Sequence, residues 1–276
     1  NGGPMAISWG WPVVSLLIIV VGLCMGELVS AMPTSGGMYY WSAKLGSIRS
    51  SYFTGWLDFL GLLGIVAAVA YGAATFVDVT ISAYSDSWAQ GYSLTRVFLI
   101  FVALLAVVTI VSIFSSHLLA IINNVSVWWH VFGAAVVIGI LIFVPSHHAS
   151  FSDVFAKTIN NSGMFGGATS GAGWLFVVLP ISVILTQYTI TGYDASAHLS
   201  EETKSAAGAA AKGIWRSIFY SAVGGWILLL AFLFAVQDAD AVSKGGGAVA
   251  AIFNQAMSSN WATAVLFIST AGQFFC

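Results

Sequence analysis

Gln187-Tyr-Thr-Ile-Thr-Gly-Tyr-Asp-Ala-Ser-Ala-His-Leu-Ser-Glu-Glu-Thr-Lys204 puts hydroxyls, a glycine and an acid inside a segment that is otherwise apolar over a bilayer's length. In hydrocarbon such residues are costly unless they face a cavity or a partner. Backbone that leaves the helix at membrane depth survives only where protein buries it or where it lines a pathway. The β-branched run Thr189, Ile190, Thr191 followed by Gly192 weakens helix propensity at one point. Two half-helices joined by an unwound link are expected. The alternative is a continuous helix whose threonine hydroxyls bond back one turn and bend it. An unwound link exposes amides and carbonyls able to hold an ammonium or a carboxylate, with half-helix dipoles adding fixed partial charge.

Composition agrees with a membrane setting. Of 276 residues, 59% are hydrophobic and 7% charged, against about a quarter charged in soluble domains. Mean hydropathy is +0.93. A net charge of −2 offers no basic surface for nucleic acid. Cys24 and Cys276 both fall in apolar runs, which argues against a disulfide framework and a cysteine metal site.

A spanning helix needs about 20 apolar residues. That criterion predicts spans at 7–32, 51–77, 93–115, 118–144, 172–198 and 213–237, and a seventh beginning at 260. The opening at Asn1 and the end inside the apolar run 261–276 read as a piece cut at both ends. Lys44, Arg49, Lys204, Lys212 and Arg216 fall in or beside one set of alternate loops; Arg96, Lys157 and Lys244 fall in the other, with Asp78, Asp86, Asp153, Asp238 and Asp240. That bias places residue 1 outside and loops 33–50 and 199–212 in the cytoplasm. One helical bundle is expected, with no short-period repeat.

Gly192-Tyr-Asp-Ala-Ser-Ala-His198 and Glu201-Glu-Thr203 resemble the signature of the amino acid/choline transporter branch, which includes GABA permeases, of the amino acid–polyamine–organocation (APC) superfamily. Two further stretches agree in order. Gly2-Gly-Pro, Trp9-Gly-Trp11 and Gly26-Glu-Leu-Val-Ser-Ala-Met-Pro-Thr-Ser-Gly-Gly-Met-Tyr-Tyr-Trp41 are similar to that branch's second helix and following loop. Gly55-Trp-Leu-Asp-Phe-Leu-Gly61 resembles the start of its third helix, although Leu62 and Leu63 stand where related sequences often carry a polar residue.

The resemblance implies an all-α integral membrane protein with the LeuT-like five-plus-five inverted-repeat bundle. The bundle is incomplete: about seven transmembrane helices, one of them broken, running from just before the family's second helix into its eighth. Residues 1–276 then form one transmembrane transporter domain lacking the first and the C-terminal helices. The implied activity is secondary transport, in the cell membrane, of amino acids or related amines such as GABA, a polyamine or choline. Alternating access would carry it, coupled to H+ or Na+ or run as exchange, with no other cofactor. Tyr188, Thr189, Ile190, Thr191 and Gly192 match the unwound substrate-binding stretch, with Tyr188 an aromatic partner for an amine. The partners implied are a small solute and the lipid bilayer.

Other candidates have plainer readings. Asp194 stabilises the second half-helix or takes part in coupling. Glu27 anchors the 33–41 stretch or carries a coupling proton, and Asp58 snorkels or pairs with a residue such as Arg49. Glu201, Glu202 and Lys204 read as a solvated helix end. His147 and His148 read as loop histidines lacking a third metal ligand, and His130 as an interhelical hydrogen-bonding residue. Asn160-Asn-Ser162 is a glycosylation triplet on the outer side. A non-transporting membrane sensor or enzyme needs carboxylates or histidines gathered at one depth, and Glu27, Asp58 and Asp194 are scattered.

Overall fold

The computed structural model describes residues 2–114, 116–238, 242 and 248–275, so Asp240, Lys244 and Cys276 lie outside the described residues. The described residues form helices and no strand. They are α1 (Gly3–Ala31), α2 (Gly37–Leu45), α3 (Ile48–Tyr84), α4 (Asp86–Gln90), α5 (Leu94–Phe114), α6 (Ser116–Phe143) and α7 (Phe151–Phe155). A π-turn (Trp174–Val178) joins α8 (Gly171–Gly173) to α9 (Leu179–Ile190), and the chain continues through α10 (Ala195–His198), α11 (Ala206–Ala235), α12 (Ala248–Ala256) and α13 (Ser259–Phe275). Among the described residues, six helical segments are long and apolar enough to cross a membrane: Gly3–Ala31, Ile48–Tyr84, Leu94–Ile113, Ala120–Phe143, Gly171–His198 and Ala206–Ala235. The expected seventh corresponds to α13, whose 17 described residues fall just short.

Three boundaries differ from the sequence reading. Loop 33–50 contains α2, because only Pro33 and the Gly36-Gly37 pair interrupt helix there and Met38 to Leu45 carry no breaker. Helix α3 runs on through Asp78 to Tyr84, about 55 Å in all. Helix α11 starts earlier than expected, in the alanine-rich run after Ser205, where the strongest helix former is concentrated.

The chain divides into two compact units, residues 1–59 with 149–234, and residues 60–148 with 235–276. In the first, Trp11, Met25, Val29 and Trp41 meet Ile190, Ala197, Ala210, Ile214 and Ile218 in one apolar core. Small residues let these helices approach. A Cβ on Gly22 would overlap the Ile218 side chain, and one on Gly225 would overlap the Trp11 indole.

Pro12 lies inside α1 and has no amide hydrogen to return to the Ser8 carbonyl. Trp226 Nε1 on α11 donates to that carbonyl at 2.8 Å. Reciprocally, Trp11 Nε1 donates to the Ala222 carbonyl at 2.8 Å. Two indoles thus tie α1 to α11, one of them supplying the donor that proline removes. The last carbonyls of short α7 are capped from α1, where Ser8 Oγ reaches Val154 O at 2.9 Å and Trp9 Nε1 reaches Phe155 O at 3.2 Å.

In the second unit α6 packs along α13. Trp129 Nε1 donates to Ile268 O at 3.1 Å, and Ser126 Oγ to Phe275 O at 3.0 Å. Asp78, read as a loop acid, is buried within α3. Its Oδ1 lies 2.7 Å from Arg96 Nη2 on α5 and accepts from Trp88 Nε1 at 3.0 Å. The guanidinium stacks on the Trp88 ring, 4.3 Å from its centroid, and Nη1 donates to Trp88 O and Gly91 O.

Candidate functional site

Pro180 near the start of α9 lacks an amide for the ladder, and the π-turn at Trp174–Val178 takes up the extra residue immediately before it. Helix α9 then runs to Ile190 and stops. Thr191 is extended (φ −64°, ψ 160°), and its amide turns back to Tyr188 O at 3.3 Å. Gly192 follows with φ +87°, a left-handed conformation that costs glycine nothing and β-branched residues a good deal. The amide of Ala195 then bonds Gly192 O at 3.1 Å, and α10 begins. About 30 Å of helix precedes the break and only the four residues of α10 follow it. The interruption is therefore well off the centre of the Gly171–His198 segment.

Around the break, Tyr188 is 39% exposed. Thr189, Thr191 and Gly192 are also exposed. Ile190 points the other way: at 3% exposure its side chain belongs to the core with Trp11, Val29 and Ala197. Tyr188, Thr189, Thr191 and Gly192 are therefore open to the surroundings, and Ile190 adds only main chain.

Asp194 occupies the N-cap position of α10 yet makes no capping bond. Its Oδ2 instead faces His198 Nε2 at 3.3 Å, one turn on. The other ring nitrogen, Nδ1, lies 3.0 Å from the Ser35 carbonyl in the loop after α1. That loop meets a second side chain, for Glu201 Oε1 accepts from the Ser35 amide at 3.1 Å and from Thr34 Oγ1 at 3.2 Å. The Ser35 bonds, with the Thr34 hydroxyl, hold the Glu201 carboxyl below the usual range. Glu201 was read as part of a solvated helix end; the sequence gives no sign of a contact across 166 positions.

The remaining candidates fall elsewhere. Glu27 is exposed on α1 and its carboxylate bonds nothing in the 33–41 stretch; the anchoring expected of it comes from Glu201. Asp58 makes no ion pair with Arg49, since the two lie about 13 Å apart along α3. His130 Nδ1 meets the Ser126 carbonyl of its own helix at 2.8 Å. His147 Nδ1 lies 3.1 Å from Ser146 Oγ, and His148 Nε2 lies 3.2 Å from Leu141 O. Cys24 is a free, exposed thiol. No group of three His, Cys, Asp or Glu side chains among the described residues could hold a metal ion. Asn160 uses its amide on the Met164 and Ala168 carbonyls while its Oδ1 accepts from Ser162, so the glycosylation triplet is a loop-organising turn.

Residues 1–275 match the family model described as "Amino acid permease". The chain is 31% identical over 294 residues to the amino-acid permease BAT1 homolog of Oryza sativa subsp. japonica, covering 100% of this chain and 55% of the relative. It is 30% identical over 292 residues to amino-acid permease BAT1 of Arabidopsis thaliana, covering 100% and 55%. The GABA-specific permease of Saccharomyces cerevisiae is 28% identical over 288 residues, with 99% and 48% covered. The chain spans about half the length of these curated relatives.

Proposed function

Since this chain belongs to the amino acid permease family and is a multi-pass integral membrane protein, we propose that it is the substrate-gripping part of a secondary transporter for amino acids or related amines. The solute sits at the break after α9. Thr191 and Gly192 turn their main chain toward it, Tyr188 supplies an aromatic wall for an ammonium, and Thr189 a hydroxyl. Access alternates between the two membrane faces, in the cell membrane, with H+ or Na+ coupling or exchange as the driving force. Amino acids lead the substrate list, with GABA next because one yeast relative bears that name; a polyamine or choline follows on chemistry alone.

The observation that carries this reading is the extended Thr191 and left-handed Gly192 inside a 28-residue apolar segment. Main chain released from the helical ladder at that end of the segment is open to a polar partner. A permease role is also what the relatives' names describe, and it leaves no chemical step for an enzyme to perform. The test is uptake by the full-length protein in proteoliposomes, over a panel of amino acids, GABA, polyamines and choline. Accumulation or exchange of at least one is expected, weakened by Tyr188→Ala. Absence of uptake and exchange for the whole panel would remove the proposal.

A further inference from the structure

Loop 33–37 closes the end of α1 and is gripped by two side chains of the chain after the break, one on α10 and one on the turn that follows it. Glu201 accepts from the Ser35 amide and the Thr34 hydroxyl, while His198 meets the Ser35 carbonyl and, with its other nitrogen, Asp194. Both partners of the imidazole are acceptors. A neutral imidazole has one N–H and must present a bare lone pair to either the carbonyl or the carboxylate; only the imidazolium donates to both. Gly37 makes room for the ring: it has φ +46°, and a Cβ there would lie 3.1 Å from His198 Cε1.

We propose that His198 and Glu201 are positioning residues forming a proton-dependent latch, which holds loop 33–37 against the segment after the break and restrains that segment's movement. The latch follows from these contacts alone; its role in transport rests on the permease reading. A proton on His198 tightens the latch by filling both acceptors. Glu201 stays ionised through the same interval, because the Ser35 and Thr34 donors keep its carboxyl below the ordinary range. The titratable groups facing the imidazole and its loop are Asp194 at the N-cap of α10, Glu201 on the following turn, and Lys212 on α11, which lines a hollow together with Pro33. The loop itself brings only Thr34, Ser35 and main chain, and the charge on α2, Lys44, lies over the Tyr40 ring.

Hydrogen exchange of the 33–37 amides in the full-length protein in micelles reads the latch directly, because the Ser35 amide is one of its bonds. After correction for intrinsic rates, wild-type protection should be greater in acid than at neutral pH, because only the imidazolium fills both acceptors. Glu201→Ala should speed exchange on the order of tenfold. His198→Gln keeps one donor for the Ser35 carbonyl but no titratable proton, and should flatten the pH dependence. Unchanged exchange in Glu201→Ala, or wild-type pH dependence in His198→Gln, overturns the latch. In parallel uptake assays, loosened exchange should come with an altered KM-to-kcat balance. Loosened exchange with unaltered uptake kinetics overturns the restraint on movement. Absence of any wild-type uptake defeats the permease reading instead, and leaves the exchange results to decide the latch.

Discussion

Replacing Trp226 by Phe keeps an aromatic ring in place and removes a single N–H. That N–H is the donor, at 2.8 Å, for the Ser8 carbonyl. In an ordinary helix that carbonyl would bond the amide four residues on, but residue 12 is proline. Ser8 is 1% exposed, so water does not reach the vacancy easily. Leaving a buried acceptor unsatisfied costs about 1–3 kcal/mol, and the smaller ring adds a packing loss. The two contributions separate in a double-mutant cycle. Pro12→Ala returns an amide to the α1 ladder, aimed at the same carbonyl. Trp226→Phe alone should therefore destabilise by at least about 1–3 kcal/mol, and in the Pro12→Ala background the hydrogen-bonding part of that loss should vanish. Unfolding of the four purified full-length proteins in one detergent, followed by loss of helical circular dichroism or by aggregation onset, measures the cycle. Equal losses from Trp226→Phe in both backgrounds would refute the claim that the indole replaces the proline's missing hydrogen.

Asp78→Ala should strip Arg96 of its buried partner and destabilise by about 3–5 kcal/mol, as expected when one member of a buried pair is removed; thermal unfolding checks this, with both side chains at 16% exposure or less. Gly192→Ala forces a Cβ onto φ +87°; a loss above about 1 kcal/mol is expected, with uptake falling as the break is remodelled, measured by unfolding and transport side by side. Asp153 is held below the ordinary carboxylate range, first by the Ser150 hydroxyl, then by the Ser150 amide and Lys157. Because its folded pKa is depressed, its capping contribution to α7 is complete above the usual aspartate range and is lost as pH falls through the lowered value; after correction for intrinsic rates, amide protection over 150–155 should hold at neutral pH and fall only in acid, and Asp153→Ala should lack it at both.

Glu27 and Glu201 illustrate how much of the site could be anticipated. Glu27 is beside loop 33–41 in sequence and was the natural anchor for it, yet it stands exposed on α1 and the loop's carboxylate contact comes from Glu201. Glu201 is remote in sequence and near in space. Asp78 and Arg96 sit 18 positions apart on different helices, a spacing that carries no signal of its own. The short helix α2 was missed because its boundary residues, Pro33 and the Gly36-Gly37 pair, resemble loop more strongly than eight ordinary residues resemble helix.

Composition and apolar run length were enough to establish a multi-pass helical membrane protein, because a bilayer demands roughly the same length of apolar helix wherever it is crossed. Local chemistry marked a weak point near Gly192, since β-branching and a missing Cβ act on the backbone of their own residues, but not its place along the segment. Tertiary structure alone decided that Ile190 turns into the core while its neighbours stay open, that Trp226 serves Pro12's orphaned carbonyl, and that His198 and Glu201 clasp the end of α1. Those facts depend on how helices rotate about their axes when they pack, and rotation is set by side chains from distant segments meeting at one surface.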